Sequence, residues 1–193
     1  MKYYALKDEN NKLVLNSWDE AKEALKKLVK PKYKSFSTIE EANAFLNDEE
    51  LIEDFNGPTA YIDGSFDINT NSYSFGGILI IDNKLYKFKK KYDADEFSKY
   101  RNVAGEIKGA GYIINQAIKL GLKELHICYD YEGIEKWYTG VWKANSDIAI
   151  LYTNFANEAK NKISIKFHKI KSHTNNYYND MADMLAKEAL NIK

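Results

Sequence analysis

Apolar and polar positions along the chain change period several times, and each change marks an element. Near the N-terminus, KYYALK and KLVLNS alternate as two strands around a turn at Asp8–Asn11. Ala21, Ala24, Leu25 and Leu28 then recur at helical spacing. Ser17 ahead of them, with Glu20 three residues on, has the capping-box pattern that opens helices. Pro31 stops that helix, Tyr33–Phe36 reads as a third strand, and Thr38 caps a last helix carrying Ala42, Phe45 and Leu46.

Period two returns in TAYIDGSF, FGGILII and KLYKFKKKY, with Asp82-Asn83 as a hairpin turn. Val103, Ile107, Ala110, Ile114, Ala117 and Ile118 form the stripe of a long helix that Gly121 ends. ELHICY is a buried-type strand, Gly133–Thr139 a short helix, Ile148–Lys162 a helix, ISIKFHKI a strand and Asp180–Leu190 an amphipathic helix. Three strands followed by alternating helix and strand predict an α/β sheet, antiparallel at one edge and parallel elsewhere. The stretch Asp48–Asp54 holds five carboxylates and no base, and Asn56-Gly57-Pro58 follows it. The expected division is a small domain over 1–47, an acidic linker over 48–58 and a larger domain over 59–193.

Composition narrows the setting. A single cysteine, Cys128, excludes a disulfide framework and an all-thiolate zinc site and suits a reducing cytosol. The N-terminus has no apolar leader and no run reaches membrane length, so a cytoplasmic protein without membrane contact is expected. The 28 basic and 28 acidic residues cancel, which by itself argues against a nucleic-acid binder. Their distribution argues the other way: Lys26–Lys34 and Lys160–Lys171 each carry five lysines and no acid.

Four acids occupy places where acids are uncommon. Asp63 sits inside a strand between Ile62 and Gly64, where an uncompensated carboxylate is costly. Glu106 lies in the first turns of the long helix, Asp130 directly follows the strand ELHICY, and Asp183 lies on the last helix among Met181, Met184 and Leu185. Each has an ordinary explanation: a turn residue, a helix N-terminal charge, an N-cap, an exposed helix position. On consecutive elements of one sheet, however, all four can meet. Clustered carboxylates repel, and hard cations with oxygen ligands, Mg²⁺ or Mn²⁺, resolve the repulsion. Two such ions about 4 Å apart drive in-line phosphodiester hydrolysis.

The segments Tyr61-Ile-Asp-Gly-Ser-Phe66, Asn102-Val-Ala-Gly-Glu106, Tyr129-Asp-Tyr-Glu-Gly-Ile134, Lys171-Ser-His173 and Asn179-Asp-Met-Ala-Asp-Met-Leu-Ala186 closely resemble the type 1 ribonuclease H family, in family order over 59–190. The resemblance implies a five-stranded mixed sheet flanked by helices. It implies two-metal cutting of the RNA strand of RNA·DNA hybrids, leaving 5′-phosphate and 3′-hydroxyl ends. Asp63, Glu106, Asp130 and Asp183 would hold two Mg²⁺ ions, with Mn²⁺ as a substitute; the pattern N-x-x-x-D-x-L-A selects Asp183 over Asp180. His173 would move protons or help release product. The backbone at Gly64 and Ser65 and the side chain of Asn102 would sense 2′-hydroxyls, and Arg101 would meet a phosphate. Val103 departs from the polar residue the family often has there. The segment Gly140–Ser146 is too short for the basic protrusion of some relatives.

Tyr3–Lys7, Ser17–Glu20, Lys32–Phe36 and Glu41–Leu46 resemble the N-terminal hybrid-binding domain of such enzymes, a small α+β module. Tyr4, Trp18, Lys32, Tyr33 and Lys34 are its candidate contacts, although a domain this small can also need Trp18 and Tyr33 for its core. The expected partner is an RNA·DNA duplex, bound by a monomer. A non-catalytic hybrid-binding protein and another nuclease of the same superfold, such as a resolvase, are the alternative readings.

Overall fold

In the computed structural model, residues 2–37, 39–47, 55–170 and 176–192 are described, and the chain separates into two units, 1–54 and 55–193. In the first unit, strands β1 (Tyr3–Lys7), β2 (Lys12–Leu15) and β3 (Lys32–Phe36) form an antiparallel sheet in the order β2-β1-β3. Alternation sorts their side chains onto two faces. Ala5, Val14 and Phe36 meet Ala42, Phe45 and Leu46 of helix α2 (Ile39–Asn47). Leu6 and Tyr4 face the other way, beside helix α1 (Trp18–Leu25). Ser17 has the extended backbone of an N-cap, but its side chain makes no capping bond; its carbonyl accepts from Ala21 N at 3.1 Å instead. The capping box read from the sequence is therefore not formed. Thr38, Asp48–Asp54 and His173 lie outside the described residues.

The second unit is a five-stranded sheet in the order β6-β5-β4-β7-β8. It comprises β4 (Thr59–Asp67), β5 (Ser72–Ile81), β6 (Lys84–Tyr92), β7 (Glu124–Tyr129) and β8 (Ser164–Lys169). β4, β5 and β6 pair antiparallel, while β4–β7 and β7–β8 pair parallel. Helices α3 (Asn102–Lys119), α4 (Gly133–Thr139) and α5 (Asp147–Ala159) cover one face over Ala60, Ile62, Leu79, Leu125 and Ile127. Helix α6 (Tyr177–Ala189) covers the other over Tyr61, Ile78 and Cys128. The alternation of Ala60 and Ile62 with Tyr61 and Asp63 follows from strand pleat, and it turns Asp63 toward the α6 face.

Residues 55–58 belong to the second unit by their contacts, not to a free linker. Phe55 stacks on His168 and His126, and Pro58 O accepts from His126 N at 2.8 Å. Gly121, with φ +76°, ends α3 as expected.

Candidate active site and nucleic-acid surfaces

Register brings the acids together. Asp63 pairs with Gly76 across β4–β5, and Gly76 lies under α6. A Cβ there would stand 2.6 Å from Ala186 N and nearer still to Ala182 O, so only glycine lets α6 lie this close. Asp183 follows Ala182 directly. On the parallel side, Tyr61 pairs with Cys128, and continuing that register two residues puts Asp130 beside Asp63. Gly64 performs the same service on the opposite face: a Cβ would stand 2.8 Å from Glu106 N and 2.9 Å from Glu106 Cγ. The first turn of α3 thus rests on β4, and Glu106 enters the cluster with 3% of its surface exposed.

Electrostatics agree with that geometry. Burial, then the Asp130 charge, push the Asp63 carboxyl up to about 7, with Asp183 adding to the effect and Gly64 N–H (2.7 Å) and Lys187 opposing it. Burial also holds the Glu106 carboxyl well above its ordinary value, with Asp130 and Asp63 as the next causes. Asp180 is exposed and is not among the groups acting on Asp63.

The cluster is held by local partners. Asn102 Nδ2 donates to Glu106 Oε1 at 3.0 Å, and Lys187 Nζ pairs with Asp183 Oδ2 at 2.6 Å. Glu106 Oε2 is buried with no hydrogen-bond partner. Among the described residues no three His, Cys, Asp or Glu side chains already stand in ligand geometry around one point. The donor set still fits a hard divalent ion: carboxylate oxygens only, crowded, partly dehydrated, with one buried oxygen unsatisfied.

The candidate substrate contacts flank this cluster. Gly64 and Ser65 continue β4 past Asp63, half-buried. Arg101 is exposed at the start of α3 with φ +54° and ψ −131°, a strained conformation for a residue with a side chain. The turn before it is anchored by Asp147, which accepts from Lys99 Nζ at 2.7 Å and Tyr100 Oη at 2.5 Å. Sequence reasoning missed this anchor, and also Lys187, although Asp183 and Lys187 have the i, i+4 spacing of a helical ion pair. Beyond Asp130, Trp137 on α4 packs against the core of the larger unit, and Trp142 follows just past that helix. The two rings pack edge to face 5.9 Å apart, Tyr131 adjoins Trp137, and Trp142 is exposed. The connection from α4 to α5 covers only 140–146.

In the first unit, Tyr4, Trp18 and Tyr33 converge: ring centroids lie 5.4 Å apart for Tyr4–Trp18 and 6.0 Å for Trp18–Tyr33. With Ser35 they line an open trough of about 330 Å³. Trp18 is 40% and Tyr33 54% exposed, so the core of this unit does not consume them. Lys32 and Lys34 lie on the opposite face of β3, where Lys34 Nζ stands 5.5 Å from the Phe36 ring centre.

Comparison with known proteins follows the same division. Residues 2–46 match the family model described as the ribonuclease H1 N-terminal domain, and residues 56–191 match RNase H. No curated protein matches significantly in sequence. Solved structures share the fold of the larger unit. RNase H1 from the halophilic archaeon Halobacterium salinarum NRC-1 is 22% identical, with a TM-score of 0.58, covering 69% of this chain and 97% of that one. The N-terminal RNase H domain of a Mycobacterium tuberculosis protein, solved as a maltose-binding-protein fusion, is 19% identical (TM-score 0.57; 70% and 94% covered). LC11-RNase H1, solved in complex with an RNA/DNA hybrid, is 16% identical (TM-score 0.55; 69% and 99% covered). With the RNase H model spanning most of its length and an RNase H1 N-terminal domain ahead of it, this chain belongs to the ribonuclease H family.

Proposed function

We propose that the chain cuts the RNA strand of RNA·DNA hybrids at the Asp63–Glu106–Asp130–Asp183 cluster and leaves 5′-phosphate and 3′-hydroxyl ends. The observation that carries this reading is a set of four acids brought to one place by strand register and two glycine seats, where burial and neighbouring charge raise the carboxyls of Asp63 and Glu106. Such an arrangement is unfavourable unless cations arrive. The family generally uses divalent ions, and these four side chains would hold a pair of Mg²⁺, or Mn²⁺ in its place. When bound, the ions supply an activated water and neutralise charge at the leaving 3′ oxygen.

The chain's own groups do the rest. Asp63 and Glu106 would be the ligands most sensitive to a bound cation, since burial and neighbouring charge raise both carboxyls. Lys187 holds Asp183 through their ion pair at 2.6 Å. Asn102, bonded to Glu106, would sense a 2′-hydroxyl next to the scissile phosphate together with the Gly64-Ser65 backbone. His173 carries protons or releases product, a role resting on the sequence resemblance alone. The aromatic trough of Tyr4, Trp18 and Tyr33 offers flat apolar surface to sugars of a duplex, and the tether raises its effective concentration at the larger unit.

The test is a labelled RNA·DNA hybrid incubated with Mg²⁺, with Mn²⁺ or with a chelator. Cleavage should require a divalent ion, and Asp63→Asn should abolish it while hybrid affinity stays within about twofold. Cutting that persists in chelator, or in Asp63→Asn, would refute the assignment. Binding without any cutting would leave the non-catalytic reading.

A further inference from the structure

A cleft of about 450 Å³ opens at the end of the sheet opposite the acids, between the starts of β7 and β8 and the last turn of α5. β7 separates it from Asp130 by about 20 Å. Lys123, Lys160 and Lys162 line it together with Tyr138 and Ser164, and no carboxylate among the described residues does. None of the three lysines has an ion-pair partner among the described residues. Glu124, next to Lys123 in the chain, is already taken by Lys166 at 2.9 Å.

The ordinary reason for lysines here would be the end of α5, where cations satisfy the last carbonyls and oppose the helix dipole. Two of these carbonyls are already satisfied by backbone N–H groups. Ala159 O accepts from Lys162 N (2.8 Å) and Ile163 N (3.1 Å), and Ala156 O from Lys160 N (3.0 Å). Lys123 stands on a different element altogether. A second, independent observation comes from Tyr138, 4% exposed, whose hydroxyl has no hydrogen-bond partner. Its ring is fixed against Phe167, 5.2 Å between centroids, and Lys160 Nζ stands 5.4 Å from its centre. Tyr138 thus brings an unsatisfied hydroxyl to a cleft that three lysines without ion-pair partners among the described residues also line, groups of the kind that bind anions.

We propose that this cleft binds a phosphate group, as inorganic phosphate or as a phosphomonoester of mononucleotide size. Near neutrality a phosphomonoester carries almost two negative charges, which suits three ammonium groups better than a carboxylate would, and the volume falls within the range of small-ligand sites. The site is separate from the acids, and its case does not depend on the proposed nuclease chemistry.

The test titrates the full chain in metal-free buffer with inorganic phosphate and with adenosine monophosphate, following backbone amide shifts. Saturable shifts at Lys123 and 160–164 are expected. Equal affinity for both ligands identifies free phosphate as sufficient; tighter binding of the nucleotide identifies the phosphomonoester. Lys160→Ala with Lys162→Ala should weaken binding about tenfold or more. Tyr138→Phe, melting as the parent does, should weaken it severalfold. Asp63→Asn should leave it unaltered. Absence of saturable shifts, parental affinity in the double lysine variant, or shifts produced by hybrid duplex but by neither small ligand would each overturn the proposal.

Discussion

One methyl group at residue 76 tests whether the acid cluster depends on how closely α6 lies on the sheet. In Gly76→Ala the new carbon would stand 2.6 Å from Ala186 N and 2.8 Å from Leu185 Cβ, whereas ordinary contact begins at 3.4 Å. Contact with Ala186 N alone asks for a retreat of 3.4 − 2.6 = 0.8 Å, and the nearer Ala182 O asks for more. No rotamer change avoids this, because the nearest obstacles, Ala186 N and Ala182 O, are backbone atoms. Asp183 follows Ala182, so it moves with them.

Overpacking of this kind costs about 1–3 kcal/mol, or roughly 3–9 °C in melting temperature for a unit of this size. The larger effect falls on turnover, because a displacement near 1 Å can cost ~10²-fold. The assay pairs a thermal melt with cleavage of a labelled hybrid at saturating Mg²⁺ and 25 °C, where circular dichroism shows the variant folded. Ser74→Ala is the control. It removes the 2.6 Å bond from Ser74 Oγ to Ala186 O without adding an atom, so it should cost ~1 kcal/mol and spare turnover. If Gly76→Ala melts with the parent and cuts at the parental rate, close approach at Gly76 does not set the position of Asp183. An equal loss of turnover in both variants would point to general loosening of α6.

Three further outcomes are expected. Glu106→Gln replaces a buried acid that Asp63 and Asp130 repel with an amide that donates hydrogen bonds; its metal-free melting temperature should rise while cleavage disappears, and a lower one would contradict the repulsion inferred here. Asp147 is held down to about 2, chiefly by Lys99 and then Tyr100; a depressed carboxyl contributes stability above its unfolded value of about 3.8 and loses it as pH falls through 2. Acid-unfolding curves of Asp147→Asn should therefore differ from the parent above pH 4 and converge below pH 2, and a constant offset would refute the link. Deleting residues 1–50 should weaken hybrid affinity and shorten processive runs more than it slows single cuts, and equal affinity in gel-shift titrations would remove the binding role from the first unit.

Much of this architecture was legible in periodicity, because strand pleat and helix pitch are local properties. The α/β order, the hairpin at Asp82-Asn83 and the end of α3 at Gly121 all followed from it. The start of β5 did not. Ser72 and Ser74 are polar yet buried, and Ser74 is accommodated only by its bond to a helix that a local reading cannot place. The helix of Ser17 and Glu20 shows the reverse failure, with the right residue types and no side-chain bond. For the site, composition alone left each acid an ordinary explanation. What unites them is the pairing of Asp63 with Gly76, the parallel register toward Asp130 and two glycines that admit helices to the sheet. Those are properties of pairs of elements, which no single window of sequence contains. Lys187 escaped notice for a different reason: an i, i+4 pair on a helix usually means only a solvated face.

The same contacts that assemble the cluster also make it costly. Desolvation is the first cause of the raised carboxyls at both Asp63 and Glu106, and mutual charge is the second. Among the described residues, Lys187 opposes this, and it pairs with the partly exposed Asp183. Packing from both faces must hold the acids in place, since their own interactions push them apart. The tight seats at Gly64 and Gly76 therefore have a purpose beyond core density: they fix backbones that electrostatics would separate. Any ion that relieves the repulsion would gain the favourable free energy the folded chain lacks without it, so affinity for the cation and rigidity of the scaffold arise from one cause. A looser scaffold would relax the acids apart and bind the ion more weakly, even with all four side chains intact.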